Sequence, residues 1–351
     1  MDGKAALRRA TLAAVRGNAF TWLVAALEQV GRPRPGVLPV LTYHRVDVLG
    51  LSPLLYPGLI SAEPAAFDEQ MRFLATHRRP LSLAELLAVR RGEADLPLRS
   101  VMVTFDDAYR DFAAVAWPIL KRHGIPVTLF VPTAYPGDRD MVFWWDRLYA
   151  AVSTTSRTAP LASLAGPMVL ATEAQRLQTF RRLRSHLKSL PHEQAMKAVD
   201  ELCEELGAPP PVSAVLSWPE LRQLHSEGVA LAPHSRTHPL LNRLPAEALY
   251  NEIVGSLEDL EREMGEAPRV FAFPGGGVNH EVAQTIQEAR FELAFLTERG
   301  TNDLRRGDWL RLRRINVGRA SGLPLVRAQL LPWWTRVETA HEGGSRSAQR
   351  A

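Results

Sequence analysis

The chain has almost none of the residue that builds disulfide frameworks and thiolate metal clusters. Its 351 residues include one cysteine, Cys203, so neither kind of scaffold is available. No stretch reaches the roughly 18 uninterrupted apolar residues of a transmembrane helix. Strong charge of one sign is also missing. The formal net charge of +4 is small for this length, and no segment resembles a nucleic-acid-binding module. No internal repeat is evident. What is present is 46% hydrophobic residues, enough for the full core of one large α/β domain with insertions.

Two polar clusters stand out. Thr104-Phe105-Asp106-Asp107 follows the apolar run Val101-Met102-Val103. His234-Ser235-Arg236-Thr237-His238 follows Val229-Ala230-Leu231-Ala232. Both runs read as strands buried on two faces. Ligands collect beyond the carboxyl ends of strands in α/β folds, so the two clusters can meet there. Two imidazoles and a carboxylate with an open position for water form a typical catalytic zinc site, whereas carboxylates alone favour magnesium or calcium. Ser235 after His234, and Pro233 and Pro239 bracketing the pair, argue for a loop rather than a helical His-Glu-x-x-His motif. Taken alone, an Asp-Asp pair is ordinarily a helix cap or a turn; both clusters at strand ends point to an enzyme.

The motifs resemble the polysaccharide deacetylases with a NodB homology domain, carbohydrate esterase family 4. Thr104-Phe105-Asp106-Asp107 matches the first motif, with Ala108 in the place of its glycine, and His234 to His238 matches the second. Arg269 with Phe271-Ala272-Phe273-Pro274-Gly275-Gly276 matches the third. The resemblance covers roughly residues 97 to 320. Leu41-Thr42-Tyr43-His44-Arg45-Val46 further resembles the opening strand of the branch acting on poly-N-acetylglucosamine and related exopolysaccharides.

The resemblance implies a deformed (β/α) barrel that uses a divalent metal, zinc by its ligand set, to remove N-acetyl groups from amino sugars of a glycan and release acetate. It implies Asp107, His234 and His238 as metal ligands and Asp106 as general base. Arg269 is expected to sit behind Asp106 and hold its pKa down, and a backbone N–H near Tyr109 to complete an oxyanion hole.

Two departures matter. Ala108 stands where a backbone needing φ > 0 favours glycine. The family's acid histidine lies in a Leu-x-His motif near the domain end, but here that region reads Leu310-Arg311-Leu312-Arg313-Arg314-Ile315-Asn316-Val317. His44 is the leading replacement for the acid and His280 the next. Three other readings stay open: an O-acetyl esterase, a carbohydrate-binding pseudoenzyme and a metal-dependent phosphoesterase.

The expected organisation is an N-terminal helix in residues 1–36, a catalytic domain over 37–335 and a disordered tail over 336–351. The domain carries a mostly helical insertion at about 140–215, without strand signals, that could wall a cleft. Trp144 and Trp145 in it can stack on sugar rings or pack in the core. Ser82 with Glu85 and Ser217 with Glu220 predict capping boxes. His123 is expected to meet the last carbonyls of a helix over Arg110–Arg122. The arginine groups Arg181, Arg182, Arg184 and Arg305, Arg306, Arg311, Arg313, Arg314 read as a solvated rim, or as contacts for an anionic glycan, a phospholipid-linked sugar or a membrane surface. Arg16 breaks the approach to the apolar stretch Ala19–Leu27, and no small-residue cleavage site follows, so a surface helix is expected rather than a signal peptide. Trp22 and Leu23 would give that helix a means of peripheral membrane contact. The expected location is cytoplasmic or peripheral to the membrane, with export left open.

Overall fold

The structure, a computed structural model, describes residues 17–31, 33–157, 161–163, 166–207 and 211–331. Residues 1–16 of the N-terminal segment and the expected tail therefore lie outside the described residues. Seven strands carry the fold: β1 Val37–Tyr43, β2 Ser100–Phe105, β3 Val127–Val131, β4 Ala230–Pro233, β5 Val270–Ala272, β6 Leu293–Arg299 and β7 Leu312–Asn316. Their spatial order is β5-β6-β7-β1-β2-β3-β4, which is chain order around a ring with one opening. Every ladder along this path is parallel. β4 and β5 lie side by side at the opening without a ladder between them. This is a deformed (β/α) barrel, as the alternation of strands and helices implies.

Strand periodicity decides which side chains face inward. Val40, Met102, Phe130, Ala232, Val270, Ala272, Phe295 and Leu312 share one buried cluster, the barrel interior. Their neighbours Leu41, Tyr43, Val101, Val103, Phe105, Leu129 and Leu231 pack outward under the surrounding helices. A strand residue two places on returns to the same face. His44 therefore continues the inward line of Val40 and Thr42, Asp106 that of Met102 and Thr104, His234 that of Ala232, and Arg314 that of Leu312.

The capping boxes form as expected, Ser82 with Glu85 and Ser217 with Glu220. The helix before β3 departs from expectation, winding as a π-helix over Phe112–Ala116 before the α-helix Trp117–Arg122. His123 meets the helix end as expected through its backbone N–H, which donates to Ile119 O at 3.2 Å, while its side-chain Nε2 meets Asp68 Oδ1 at 2.7 Å. The insertion contains the helices Trp144–Thr154, Glu173–Leu187 and His192–Leu206. It also contains an antiparallel hairpin, Leu161–Ser163 with Gly166–Met168, where no strand was expected. Each strand is only three residues long, too short for a period-2 pattern to emerge. Of the N-terminal helix, Asn18–Val30 is described; Val24 is buried against Ala328 and Leu331, while Trp22 and Leu23 are exposed. No helix among the described residues is long and apolar enough to cross a membrane.

Candidate active site

The carboxyl ends of β2 and β4 bring the two polar clusters together. Ligand atoms of Asp107, His234 and His238 all lie within 4.8 Å of one another. Asp107 Oδ1 stands 3.2 Å from His238 Nε2 and 3.6 Å from His234 Nε2. It is buried and lacks a well-formed hydrogen bond. A buried carboxylate oxygen without a partner is costly, and a cation held jointly with the two imidazoles removes that cost. The donor set is one hard oxygen and two imidazole nitrogens, which suits a divalent ion such as zinc.

Each ligand is fixed from behind. His234 donates from Nδ1 to Ala272 O at 2.7 Å, which leaves Nε2 with its lone pair facing the site. Burial, with His238 adding to it, pushes the His234 pKa down to about 4, so its neutral, ligating form prevails. The loop that carries His238 is pinned by Glu252. Its Oε2 accepts from the backbone N–H groups of Arg236 and Thr237 at 2.9 Å each, and its Oε1 accepts from Thr237 Oγ1 at 2.7 Å. The His238 ring packs edge-on against Trp145 and Phe143. Trp145 is buried and donates to Tyr109 Oη at 2.9 Å, and both Trp144 and Trp145 line the adjoining groove.

Backbone strain concentrates in the same two loops. Among the described non-glycine residues with positive φ are Asp107 (72°), Ala108 (52°), Ser235 (62°) and His238 (58°). The left-handed conformation feared for Ala108 is therefore real. Ala108 Cβ is fully buried in the main core, so packing offsets part of the strain.

Asp106 is 2% exposed and faces Arg314, which is fully buried on β7. Arg314 donates from Nη1 to Asp106 Oδ1 and from Nη2 to Oδ2, both at 2.7 Å, and from Nε to Leu296 O at 2.8 Å. Burial, the largest single influence, would raise the Asp106 pKa. Arg314 first, then His234 and His44, outweigh it and hold the carboxyl below its ordinary value. Asp107 is also held low: burial opposes ionisation, but His238, His44 and His234 prevail.

This corrects the expectation for Arg269. Arg269 is exposed and donates to Ala289 O at 2.8 Å, on the outside of the barrel. The reason is strand parity. Val270 and Ala272 point inward, so Arg269 and Phe271 point outward. Arg314 was readable from the same rule: in Leu312-Arg313-Arg314-Ile315 it shares the inward face of Leu312.

His44 follows β1, half-buried, its backbone N–H donating to Ser61 Oγ at 2.9 Å. The Asp106 backbone N–H donates to Tyr43 O at 3.0 Å, so His44, the next residue, stands beside the acid pair. His280 is exposed at the start of the helix His280–Glu288.

Comparison with known proteins agrees with this geometry. Poly-beta-1,6-N-acetyl-D-glucosamine N-deacetylase of Staphylococcus aureus (strain MSSA476) is 33% identical over 109 residues, which is 28% of this chain and 37% of that protein. The Escherichia coli (strain K12) protein of the same name is 32% identical over 90 residues, 24% of this chain and 13% of that protein. The chain thus spans well under half the length of these curated relatives. Streptococcus pyogenes deacetylase PplD, solved in complex with acetate, shares the fold with a TM-score of 0.58 at 19% identity, over 85% of this chain and 100% of that one. IcaB from Ammonifex degensii does so with a TM-score of 0.52 at 20% identity, over 85% and 98%. Residues 93–294, more than half of the chain, match the family described as polysaccharide deacetylase. The chain belongs to the polysaccharide deacetylase family.

Proposed function

We propose that the protein is a metal-dependent deacetylase that hydrolyses the N-acetyl group of an amino sugar in a polysaccharide or glycan precursor, releasing acetate and a free amine. The observation that carries this reading is the orphaned, buried Asp107 Oδ1 between two imidazoles, beside a second carboxylate held ionised by Arg314. Asp107, His234 and His238 would hold the ion, zinc by the chemistry of the set. When bound, such an ion polarises a carbonyl and lowers the pKa of water. Asp106 is assigned the role of general base toward the attacking water. Arg314 keeps it ionised and fixes its plane through the two-point contact.

The breaking carbon–nitrogen bond needs a proton on nitrogen. His44, which shares the site with both carboxylates, is the residue assigned to deliver it. A backbone N–H near Tyr109 is assigned to the developing oxyanion. The relatives' names favour a poly-N-acetylglucosamine-type glycan as the substrate class. An O-acetyl esterase is the second reading, because β7 ends in Asn316 with no histidine in the Leu310–Val317 region, and an ester requires less help from an acid.

The test is acetate release from a panel of N-acetyl and O-acetyl glycans, with metal content measured on the same preparation. Acetate from the N-acetyl members supports the proposal. Acetate only from the esters replaces it with the second reading, and stoichiometric metal without any turnover replaces both with a binding role.

A further inference from the structure

Beside His238 the barrel and the insertion enclose a groove. Its lining includes Trp144, Lys188, His192, His238, Leu240 and Arg243, and no carboxylate is among the residues that line it. Lys188 caps the helix Glu173–Leu187, its backbone N–H donating to Arg184 O at 3.2 Å. Phe180, Leu183 and Leu187 sink that helix into the main core, so Lys188 is placed by a rigid element. Arg243 ends the short turn Leu241–Arg243 that follows the His238 loop.

The usual neutralising partners are taken elsewhere. Neither Lys188 nor Arg243 forms an ion pair among the described residues, although many surface arginines here do, such as Arg91 with Glu292. Glu252, the acid behind His192, is occupied by the His238 loop. Asp107 acts on Lys188 from across the site, but that carboxylate belongs to the candidate metal cluster with His234 and His238 and is not among the groove's lining. Burial and the neighbouring Arg184 lower the Lys188 pKa to about 8, so it stays cationic at neutral pH while poorly solvated. A half-buried ammonium facing a groove without counter-charge favours an incoming anion. It also opposes a glycan that gains an ammonium at each deacetylated unit.

We propose that this groove recognises an amino sugar bearing an anionic group beside its acetamide, with Lys188 and Arg243 as the recognising cations. This rests on the deacetylase reading, and it replaces the neutral poly-N-acetylglucosamine class favoured by the relatives' names with an anionic one. A phosphate ester and a carboxylate ether on the sugar offer the same charge chemistry, and the test separates them.

The probes are sugars in which a methanesulfonamide, inert to hydrolysis, replaces the acetamide: a 1-phosphate, a 3-O-lactyl carboxylate and a neutral methyl glycoside. Calorimetric titration into the wild-type chain should show one anionic sugar binding about tenfold tighter than the neutral one. That preference should shrink as salt is raised. Whichever anionic sugar carries it identifies phosphate or carboxylate as the group. Lys188→Met and Arg243→Met should each pull the anionic-to-neutral affinity ratio toward one, and Lys188→Arg should preserve it. Arg243 is exposed, so its variant carries the test if Lys188→Met does not fold.

Equal affinities in the wild-type chain, or a ratio untouched by either Met substitution, overturns the proposal. The N-acetyl counterparts are assayed in parallel for acetate. An anionic preference without acetate release removes the deacetylase reading alone, and acetate release without the preference removes the groove assignment alone.

Discussion

Arg314 and Asp106 meet end-on inside the barrel, the two terminal guanidinium nitrogens each 2.7 Å from one carboxylate oxygen, with neither residue more than 2% exposed. Removing one member of such a pair leaves a buried charge without its counter-ion. Arg314→Leu should therefore cost about 3–5 kcal/mol of stability in denaturant titration, and acetate release with it. Arg269→Ala, on the outer face, should change stability by less than about 0.5 kcal/mol and leave turnover alone. The opposite ranking would restore Arg269 to the site and remove Arg314 from it.

The adjacent acids should separate by readout. Asp107→Ala, His234→Ala and His238→Ala should each lower metal content and activity together. Asp106→Asn should abolish activity and keep the metal. Elemental analysis decides this: full occupancy in all three ligand variants would eliminate the metal site described here.

His44→Ala should retain metal but reduce kcat on an N-acetyl sugar by roughly 10²–10⁴-fold, the usual range for a lost general acid. An activated O-acetyl ester should suffer far less, because its leaving group departs without a proton. Equal N-acetyl rates for variant and wild type would end the assignment. The exposed His280, at a helix start away from the cluster, is then a poor substitute.

Ala108 offers a balance of three known contributions. Its left-handed backbone costs about 1–2 kcal/mol relative to glycine. Ala108→Gly removes that strain but loses about 0.8 kcal/mol of methyl burial. It also gives the unfolded chain roughly 0.4–1 kcal/mol of extra entropy. The sums nearly cancel, so Ala108→Gly should shift stability by less than about 1 kcal/mol. Ala108→Val, β-branched at the same φ, should lose more than about 2 kcal/mol. A large gain from glycine would mean that packing supports the alanine less than its burial indicates.

The depressed pKa of His234 has a sign. Between its ordinary value near 6.5 and about 4, the unfolded chain binds a proton that the folded chain refuses. Stability of the metal-free protein should thus be fully present above about pH 6.5 and drain away as pH falls toward 4. Asp106 and Asp107, held low, add their own losses below the ordinary carboxylate range. Urea titrations from pH 7 to 4 in chelator would measure the slope, and a flat profile between 6.5 and 4 would contradict the burial of a neutral His234.

Much of this was legible in the sequence because strand periodicity is strong where both faces are buried. The apolar runs before the acid pair and the histidine pair showed that both clusters sit at strand ends, while the choice of Asp107 over Asp106 as the third candidate ligand came from the family resemblance. Arg269 was misplaced for a physical reason: a motif match fixes which residue precedes a strand, but parity fixes which side of the sheet it occupies. Arg314 was hidden among the arginines around it, where composition suggested a basic rim. The insertion hairpin is three residues on each side and leaves no period to read. The arginine groups read as a basic rim are absent from the lining of the groove beside His238, where Lys188 and Arg243 stand instead.

The barrel has one unzipped edge, between β4 and β5, and the side chain that reaches across it is His234, through Nδ1 to Ala272 O. One imidazole is therefore both a latch for the wall of the protein and a candidate ligand for an ion. Whatever draws on Nε2 strengthens the proton that Nδ1 offers to the far strand, so charging the site cinches the cylinder. Emptying it leaves the edge held by a looser pin, and the seam is where local opening should begin.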